Sequence, residues 1–488
     1  MASNPLRLTP SPIEFGTDGW RGVLGVDITI ERLLKVAAAA AQELEYRGSK
    51  ENPSREIVIG YDRRFLAPEM AEAIAAAIKG CDLDPVLSET PVPTPACSWA
   101  VVRRRSLGAL VITASHNPPE WIGLKIKGPF GGSVERDFTK SVEKRLLVEG
   151  ISVPVKSNVK KFDCREEHLN ELRRKFDFPS LINGLKEMNL KIIVDSMHGS
   201  ASGCIKELFG EKEDEKDSLV EEINQNRDPL FGGNAPEPLV QNISKLIDLV
   251  KASTIAGKPA IGIVFDGDGD RIAAVDENGR FCSTQLLIPL LIDHLARVRN
   301  LPGCVVKTVS GSDLMRLVAE DLGRNVIELP VGFKYIASTM LDRDVLVGGE
   351  ESGGVGFGIH LPERDALFTA ILVLEAIKES QQTLANYLTQ IESRFGASHY
   401  DRIDLILGSK EVRKKLETLL ESKPPRNIFD QKVKQVIYTD GIKLILDKSY
   451  WLMFRFSGTE PLLRIYCEAP TKELLIKTLD WAKNLAEG

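Results

Sequence analysis

LGALVITASHN, Leu107 to Asn117, is an apolar run that ends in a polar turn, and the same design returns as LKIIVDSMHGSASG (Leu190 to Gly203) and GCVVKTVSGSDLM (Gly303 to Met315). Each run is short, rich in β-branched residues and bounded by Gly, Ser or Asn. That pattern predicts a buried strand that hands over to a turn and then a helix. Runs at Glu56 to Gly60, before a helical pattern from about Pro68 to Lys79, and at Ala260 to Phe265 extend the alternation. Strand, turn and helix in succession predict α/β layers on largely parallel sheets. Ligands gather at the carboxyl ends of such strands, so the turns carry the chemistry.

Working outward, the chain has 488 residues, room for about three or four domains at ~150 residues each. After about Gly396 the segments become charged and irregular, then end on a strand WLMFRF, a turn SGTEP, a strand LLRIYCEA and a final helix. The fold class is therefore α/β: three related mixed-sheet α/β units over residues 1–160, 161–281 and 282–394, then an α+β unit over 395–488. Glu211 to Glu222 is a charge run and reads as a solvated loop or frayed helix face.

Composition removes several function classes. The net charge of -6 is spread through intermixed acids and bases, so no basic field is available for nucleic acid. The longest apolar stretches, around Leu286 to Ile292 and Leu367 to Ile377, meet Pro289 and Glu375 well short of the ~20 residues that span a bilayer. Met1 to Pro10 carries no targeting pattern, and a cytoplasmic location is expected. The seven cysteines lie far apart with no Cys-x-x-Cys pair, which predicts reduced, mostly buried thiols rather than a zinc site or disulfides.

Five turns hold reactive side chains. In TASHNPPEWIGLKIK, Ser115 stands at a strand's carboxyl end beside His116 and ahead of Lys125 and Lys127. A serine hydroxyl needs such neighbours to manage its proton and charge, although an Asn-Pro turn with an incidental serine fits the peptide as well. In DGDGDR, Asp266, Asp268 and Asp270 alternate with Gly267 and Gly269 and can curl around one hard cation. With Glu277 they match EF-hand ligand positions, but Arg271 replaces the turn glycine and strands flank the loop. In VGGEESGGVGFG, Glu350 and Ser352 offer an acceptor and a donor for vicinal hydroxyls. In RFSGTEPLLR, Arg455, Ser457, Thr459 and the backbone around Gly458 form a donor set suited to phosphate; an ordinary hairpin is the alternative. In FGTDGWRG, Arg21 can meet a phosphoryl group or pair with Asp18. VGFKYI places Lys334 between strand-like runs, facing either ligand or solvent. No Walker A motif and no strand-borne G-x-G-x-x-G is present, so a phosphoryl group would come from a phosphorylated substrate or be stored on the protein.

TASHNP, DGDGDR, GEESGG and R-x-SGTEP, in this order and at these distances, resemble the α-D-phosphohexomutases, the phosphoglucomutase and phosphomannomutase superfamily. FGTDGWRG, GYDRR around Asp62 and VGFK are similar to family segments too, so the likeness covers essentially the whole chain. The resemblance implies a monomer whose four domains surround a central cleft. It implies a phosphoserine at Ser115, with Mg²⁺ bound by that phosphate and by Asp266, Asp268 and Asp270. Glu350 and Ser352 would hold sugar hydroxyls; Arg455, Ser457, Gly458 and Thr459 would hold the phosphate that is not reacting. Lys125, His116, Arg21, Arg271 and Lys334 would surround the transferring group or the substrate.

The implied reaction interconverts hexose 1-phosphate and hexose 6-phosphate through a hexose 1,6-bisphosphate that serves as intermediate and activator. Small sugar phosphates would be the only partners. Gly354 stands where certain dual-specificity members carry histidine, which leaves mannose open beside glucose, the sugar favoured by the GEESGG form. Glu351 stands where glucosamine-type members show glutamine and argues against an aminosugar. An aspartyl-phosphate phosphatase or a sugar-phosphate sensor would leave most of these motifs without a task. A synthase on the same scaffold that releases glucose 1,6-bisphosphate is the nearer alternative.

Overall fold

The computed structural model describes residues 9–48, 54–146, 158–212, 218–407, 410–456 and 462–487. The first sheet runs, from edge to edge, Trp20–Val23, Trp121–Lys127, Gly108–Ile112, Glu56–Tyr61, Asp84–Ser88 and Lys160–Phe162. Its four strands from Gly108–Ile112 to Lys160–Phe162 are parallel, while Trp121–Lys127 runs antiparallel between its two neighbours. Lys160–Phe162 crosses the boundary expected at residue 160, because its backbone completes the edge beside Asp84–Ser88.

The second sheet is ordered Phe281–Cys282, Ile272–Val275, Ala260–Phe265, Lys191–Asp195, Val220–Ile223. The last of these corrects the loop or frayed helix expected over Glu211 to Glu222. Its carboxyl-terminal end is a parallel edge strand whose Val220 and Ile223 are buried beneath the acidic side chains between them. Residues 213–217 of that run lie outside the described residues. The third sheet, Val326–Leu329, Cys304–Thr308, Val345–Gly349 and Val355–Gly356, repeats the scheme in smaller form. The fourth is antiparallel, ordered His399–Ile406, Leu462–Ala469, Tyr450–Phe456, Ile442–Asp447, Gln435–Ile437, with helix Lys472–Glu487 packed on it.

The two longest apolar stretches explain how the middle units join. They form helices Thr284–Asp293, which continues through Pro289, and Ala366–Ser380, both apolar nearly all round and buried. A helix without a polar face needs cover on every side. The second and third sheets supply it, so one hydrophobic cluster runs from Leu169 to Ile391 through both units. The first and fourth units keep cores of their own. Among the described residues no helix is long and apolar enough to cross a membrane. All seven cysteines are free, five of them buried.

Candidate active site

Ser115 follows strand Gly108–Ile112 in a turn with φ of 53°, the left-handed region that side chains avoid unless their surroundings impose it. Arg64 imposes it. Its buried guanidinium donates to the carbonyls of Ser115 (2.7 Å), Asn117 (2.6 Å), Pro118 (2.8 Å) and Trp121 (2.9 Å). Asp62, 3.2 Å from Nε, supplies the counter-charge. Asp62 also accepts from Thr113 Oγ1 at 2.7 Å, and that hydroxyl accepts from the Ser115 N–H at 2.8 Å. GYDRR thus acts as the clamp of the serine turn, a role that no local pattern in its own five residues reveals. Arg64→Met leaves Asp62 buried and unpaired, and a loss of about 3–5 kcal/mol is expected. Urea unfolding measures it, and Arg64→Lys should restore little of the loss, because one ammonium cannot reach four diverging carbonyls.

The loop Asp266 to Arg271 joins antiparallel strands Ala260–Phe265 and Ile272–Val275, a hairpin rather than a helix-flanked EF-hand. Glu277 takes no part in it and instead accepts from the Ala385 N–H at 3.1 Å. Asp266 Oδ1 accepts from the backbone N–H groups of Asp270 and Arg271, each at 3.1 Å, while Oδ2 accepts from Ser115 Oγ at 2.8 Å. The loop can come this close because residue 267 is glycine: a Cβ there would lie 2.6 Å from the Ser115 carbonyl oxygen. Carboxylate oxygens of Asp266, Asp268 and Asp270 lie within 4.8 Å of one another, all three residues fully buried. Oδ1 of Asp268 and Oδ1 of Asp270 are buried with no hydrogen-bond partner. Orphaned oxygens this close together fit a hard divalent cation of the Mg²⁺ type. Burial and the two neighbouring aspartates push the Asp266 carboxyl well above the usual carboxylate range. Burial works against ionisation of Asp268 as well, but Lys125, the Thr94 hydroxyl and Arg21 together hold that carboxyl low.

Cations close the site. Lys125, fully buried, lies 2.7 Å from Asp268 Oδ2, 2.7 Å from Asp270 Oδ2 and 2.9 Å from Asp18 Oδ2. Arg21 donates to Asn117 Oδ1 at 2.9 Å, and the Asp18 pairing anticipated for it is present at 3.4 Å. His116 Nδ1 is 3.4 Å from Ser115 Oγ. Burial, then Arg271 and Arg21, press the imidazole well below its ordinary pKa. Arg271 has its Nε 4.0 Å from Asp270 Oδ1.

Two members of this network do more than local sequence shows. Asp18 binds Lys125, Lys127 and Arg364 as well as Arg21, and Arg364 reaches in from the segment LPERDAL, where nothing local marks it. Lys127 lies nearer to Glu363, at 2.6 Å, than to Asp18, at 3.7 Å.

The glycine-rich turn between strands Val345–Gly349 and Val355–Gly356 docks on the exit of the aspartate loop: the Ile272 N–H donates to the Gly353 carbonyl at 3.0 Å. Glu350 is buried, with Arg364 Nη1 3.8 Å away, and burial pushes its carboxyl up to about 7. Ser352 sits half-buried in the same turn. Lys334 corrects the expectation of strand-like surroundings. It occupies the first turn of helix Phe333–Asp342, because Phe333, Ile336 and Ala337 bury one helical face, and its Nζ lies 5.0 Å from the Tyr335 ring centre. Arg455 is the next-to-last residue of strand Tyr450–Phe456 and pairs with Asp440 at 2.9 Å. Ser457, Gly458 and Thr459 lie outside the described residues. The structure thus brings together Ser115, His116, Lys125, Arg21, Asp266, Asp268, Asp270, Arg271 and Glu350, while Lys334 and Arg455 make other contacts.

Behind Arg364, His168 and His360 both direct Nε2 at Asp365 Oδ2, at 2.7 and 2.8 Å. Asp365 Oδ1 caps helix Ala366–Ser380 by accepting from the Phe368 N–H at 3.0 Å. Every oxygen of that carboxylate is engaged within the protein, and the cluster anchors the segment that carries Arg364.

Comparison with known proteins agrees with the geometry. Four family models match: phosphoglucomutase/phosphomannomutase α/β/α domain I at residues 12–149, domain II at 166–279, domain III at 284–395 and the C-terminal domain at 384–480. The phosphoglucomutase/phosphomannomutase of Thermococcus kodakarensis is 29% identical over 97% of this chain and 98% of its own. The phosphoglucosamine/phosphogalactosamine mutase of Sulfurisphaera tokodaii is 27% identical over 97% and 99%. A crystal structure of a protein proposed to be a phosphomannomutase, from Thermus thermophilus, shares 32% identity with a TM-score of 0.84, covering 98% of this chain and 100% of that one. Four domain models in order, over a buried serine, a triple-aspartate loop and their cations, place this chain in the phosphoglucomutase/phosphomannomutase family of α-D-phosphohexomutases, which are intramolecular phosphotransferases.

Proposed function

We propose that the chain interconverts hexose 1-phosphate and hexose 6-phosphate, glucose before mannose, through a phosphoserine at Ser115 and a hexose 1,6-bisphosphate. The observation that carries this reading is Ser115 Oγ itself, 2.8 Å from Asp266 and 3.4 Å from His116 Nδ1, between an aspartate loop bound by Lys125 and an asparagine bound by Arg21. A strained, clamped serine among fixed cations suits phosphoryl storage, because phosphoryl transfer depends mainly on positioning and charge stabilisation.

In the first half-reaction the bond from phosphorus to Ser115 Oγ breaks as a bond to a substrate hydroxyl oxygen forms. The hydroxyl gives up its proton, and His116 Nδ1, beside Oγ, is the group at hand to take it and pass it to Ser115 Oγ as that oxygen leaves phosphorus. After the bisphosphate turns around, Ser115 takes back the other phosphoryl group by the reverse step. Lys125 and Arg21 face the transferring oxygens, and Glu350 accepts from a sugar hydroxyl. Asp266, Asp268, Asp270 and Ser115 would hold Mg²⁺, which supplies divalent charge against the negative charge that builds on the phosphoryl oxygens. Arg455, with Ser457, Gly458 and Thr459, serves the phosphate that is not reacting, and Lys334 lies toward the substrate.

Product analysis tests the reading. With glucose 1-phosphate and a trace of glucose 1,6-bisphosphate, glucose 6-phosphate should accumulate in large excess over free bisphosphate. If glucose 1,6-bisphosphate instead accumulates in proportion to a consumed donor such as fructose 1,6-bisphosphate, with isomerisation slow, the enzyme is a bisphosphate synthase.

A further inference from the structure

Asp266, Asp268 and Asp270 belong to the second unit, yet each has an oxygen held by a side chain of the first. Ser115 Oγ donates to Asp266 Oδ2 at 2.8 Å, and Lys125 lies 2.7 Å from Oδ2 of both Asp268 and Asp270. Ser115 and Lys125 have tasks in the proposed reaction. Thr94 has none there, and it grips Asp268 twice. Its Oγ1 donates to Asp268 Oδ2 at 2.6 Å, and its N–H donates to the Asp268 carbonyl at 2.8 Å. Thr94 is fully buried and opens helix Thr94–Arg104, 174 positions from its partner. No side-chain cap closes that helix end, and the hydroxyl's proton goes outward to the loop.

The seat is a close one. Gly269 takes a φ of 65°, and a Cβ on it would lie 3.1 Å from Pro93 Cβ, so the loop rests directly on the residues that start the helix. A carboxylate's last torsion is broad and roughly twofold, so donors decide which oxygen it keeps and which it offers. Asp268 Oδ2 is engaged by Thr94 and Lys125, while Oδ1 is buried without a partner. Lys125 alone fixes the carboxylate poorly, because its rotatable ammonium is shared with Asp270 and Asp18. The threonine hydroxyl has a single proton to donate, and Asp268 receives it.

We propose that Thr94 is a positioning residue for cation binding: reaching in from the first unit, it holds Asp268 by Oδ2, leaves Oδ1 alone for a divalent ion, and so favours ions of Mg²⁺ size over Ca²⁺. A carboxylate that offers one oxygen suits Mg²⁺, which demands near-octahedral geometry with few ligands; Ca²⁺ accepts more oxygens and bidentate carboxylates. Releasing Oδ2 therefore costs Mg²⁺ more than Ca²⁺.

This inference rests on the reading of the aspartate loop as a divalent-cation site, and its test separates the two. Mg²⁺, Mn²⁺ and Ca²⁺ are titrated calorimetrically into protein whose intact mass shows an unmodified Ser115, as wild type, Thr94→Val, Thr94→Ser and Asp268→Asn. Valine matches threonine in shape and keeps the backbone N–H, so only the hydroxyl is lost. Thr94→Val should weaken Mg²⁺ and Mn²⁺ binding about 10–100-fold, the scale for losing a group that orients a metal ligand, and Ca²⁺ binding by less. Thr94→Ser should keep most of the affinity. Because Thr94 acts through Asp268, adding Thr94→Val to Asp268→Asn should change little further. Thr94→Ala, which only removes atoms, carries the same test if the valine variant does not fold. In urea unfolding, saturating Mn²⁺ should raise the midpoint of wild type more than that of Thr94→Val. A Thr94→Val protein that unfolds earlier but binds Mn²⁺ as wild type does, or that loses Mg²⁺ and Ca²⁺ equally, would overturn the role of Thr94 while the cation site stands. A wild type that binds none of the three ions, or binding untouched by Asp268→Asn, would overturn the cation reading and this proposal with it.

Discussion

Ser115→Ala protein should accept no phosphoryl group from glucose 1,6-bisphosphate and should lose hexose-phosphate interconversion by about 10⁴-fold or more, the scale seen when an attacking nucleophile is removed. Intact-mass measurement before and after incubation with the bisphosphate reads the first effect: one phosphoryl addition on wild type and none on the variant. Ser115→Gly is the structural control. Glycine adopts the φ of 53° at this position without strain, and the change removes only the Oγ contacts to Asp266 and His116. Its stability should therefore stay within about 1 kcal/mol of wild type while activity vanishes as in the alanine variant. Turnover that survives in either variant would remove Ser115 from the chemistry.

Chelation should produce the second largest effect. The partnerless Oδ1 atoms of Asp268 and Asp270 beside Asp266 form a hard-oxygen set in a site that also holds Lys125, so the cation and the lysine share one field of negative charge. Removing the divalent ion should cost about 10²–10³-fold or more in kcat, the scale of losing one fixed charge at a developing anion. Mg²⁺ should restore the rate. Ca²⁺ should not, because its longer and looser coordination at about 2.3–2.6 Å polarises a phosphoryl oxygen less. Asp268→Asn should lower kcat on the same scale and weaken Mn²⁺ binding in calorimetry, with substrate KM little changed. Full activity in a Ca²⁺-only buffer would argue that the loop is a structural calcium site instead.

The value of these tests comes from how the site is assembled. Ser115 and Asp266 are 151 positions apart, and their contact depends on Gly267, on the Arg64 clamp and on the shape of the serine turn together. Asp18 illustrates the same point from the other side. In FGTDGWRG it reads as a partner for Arg21 three residues on, and in the folded chain it is the common anion for Lys125, Lys127 and Arg364 from two other segments.

Much was legible locally because strands and turns write their own signals. Short β-branched runs ending in polar turns identified Gly108–Ile112, Lys191–Asp195, Ala260–Phe265 and Cys304–Thr308, since a buried strand must be apolar along its length and its turn must be polar. Three aspartates in alternation announced a loop suited to a cation, because so many carboxylates close together repel one another unless positive charge is near. Where the decisive partner is distant, the local pattern misled. Val220 and Ile223 form a strand only because Lys191–Asp195 offers an edge, and Lys334 is helical because Phe333, Ile336 and Ala337 find a surface to cover.

By itself, then, the chain's sequence determined the layer type, the four units, the serine, the aspartate loop and the family resemblance, which rest on periodicity, on residues within one turn of each other, or on the order of such turns along the chain. Tertiary structure alone decided that the second and third units share a core, that Arg64 bends the serine turn, and that Arg364 takes the space beside Gly354. The physical reason is common to all three. Burying a charge or an all-apolar helix is favourable only when partners from distant segments close around it, and no local window of sequence contains those partners.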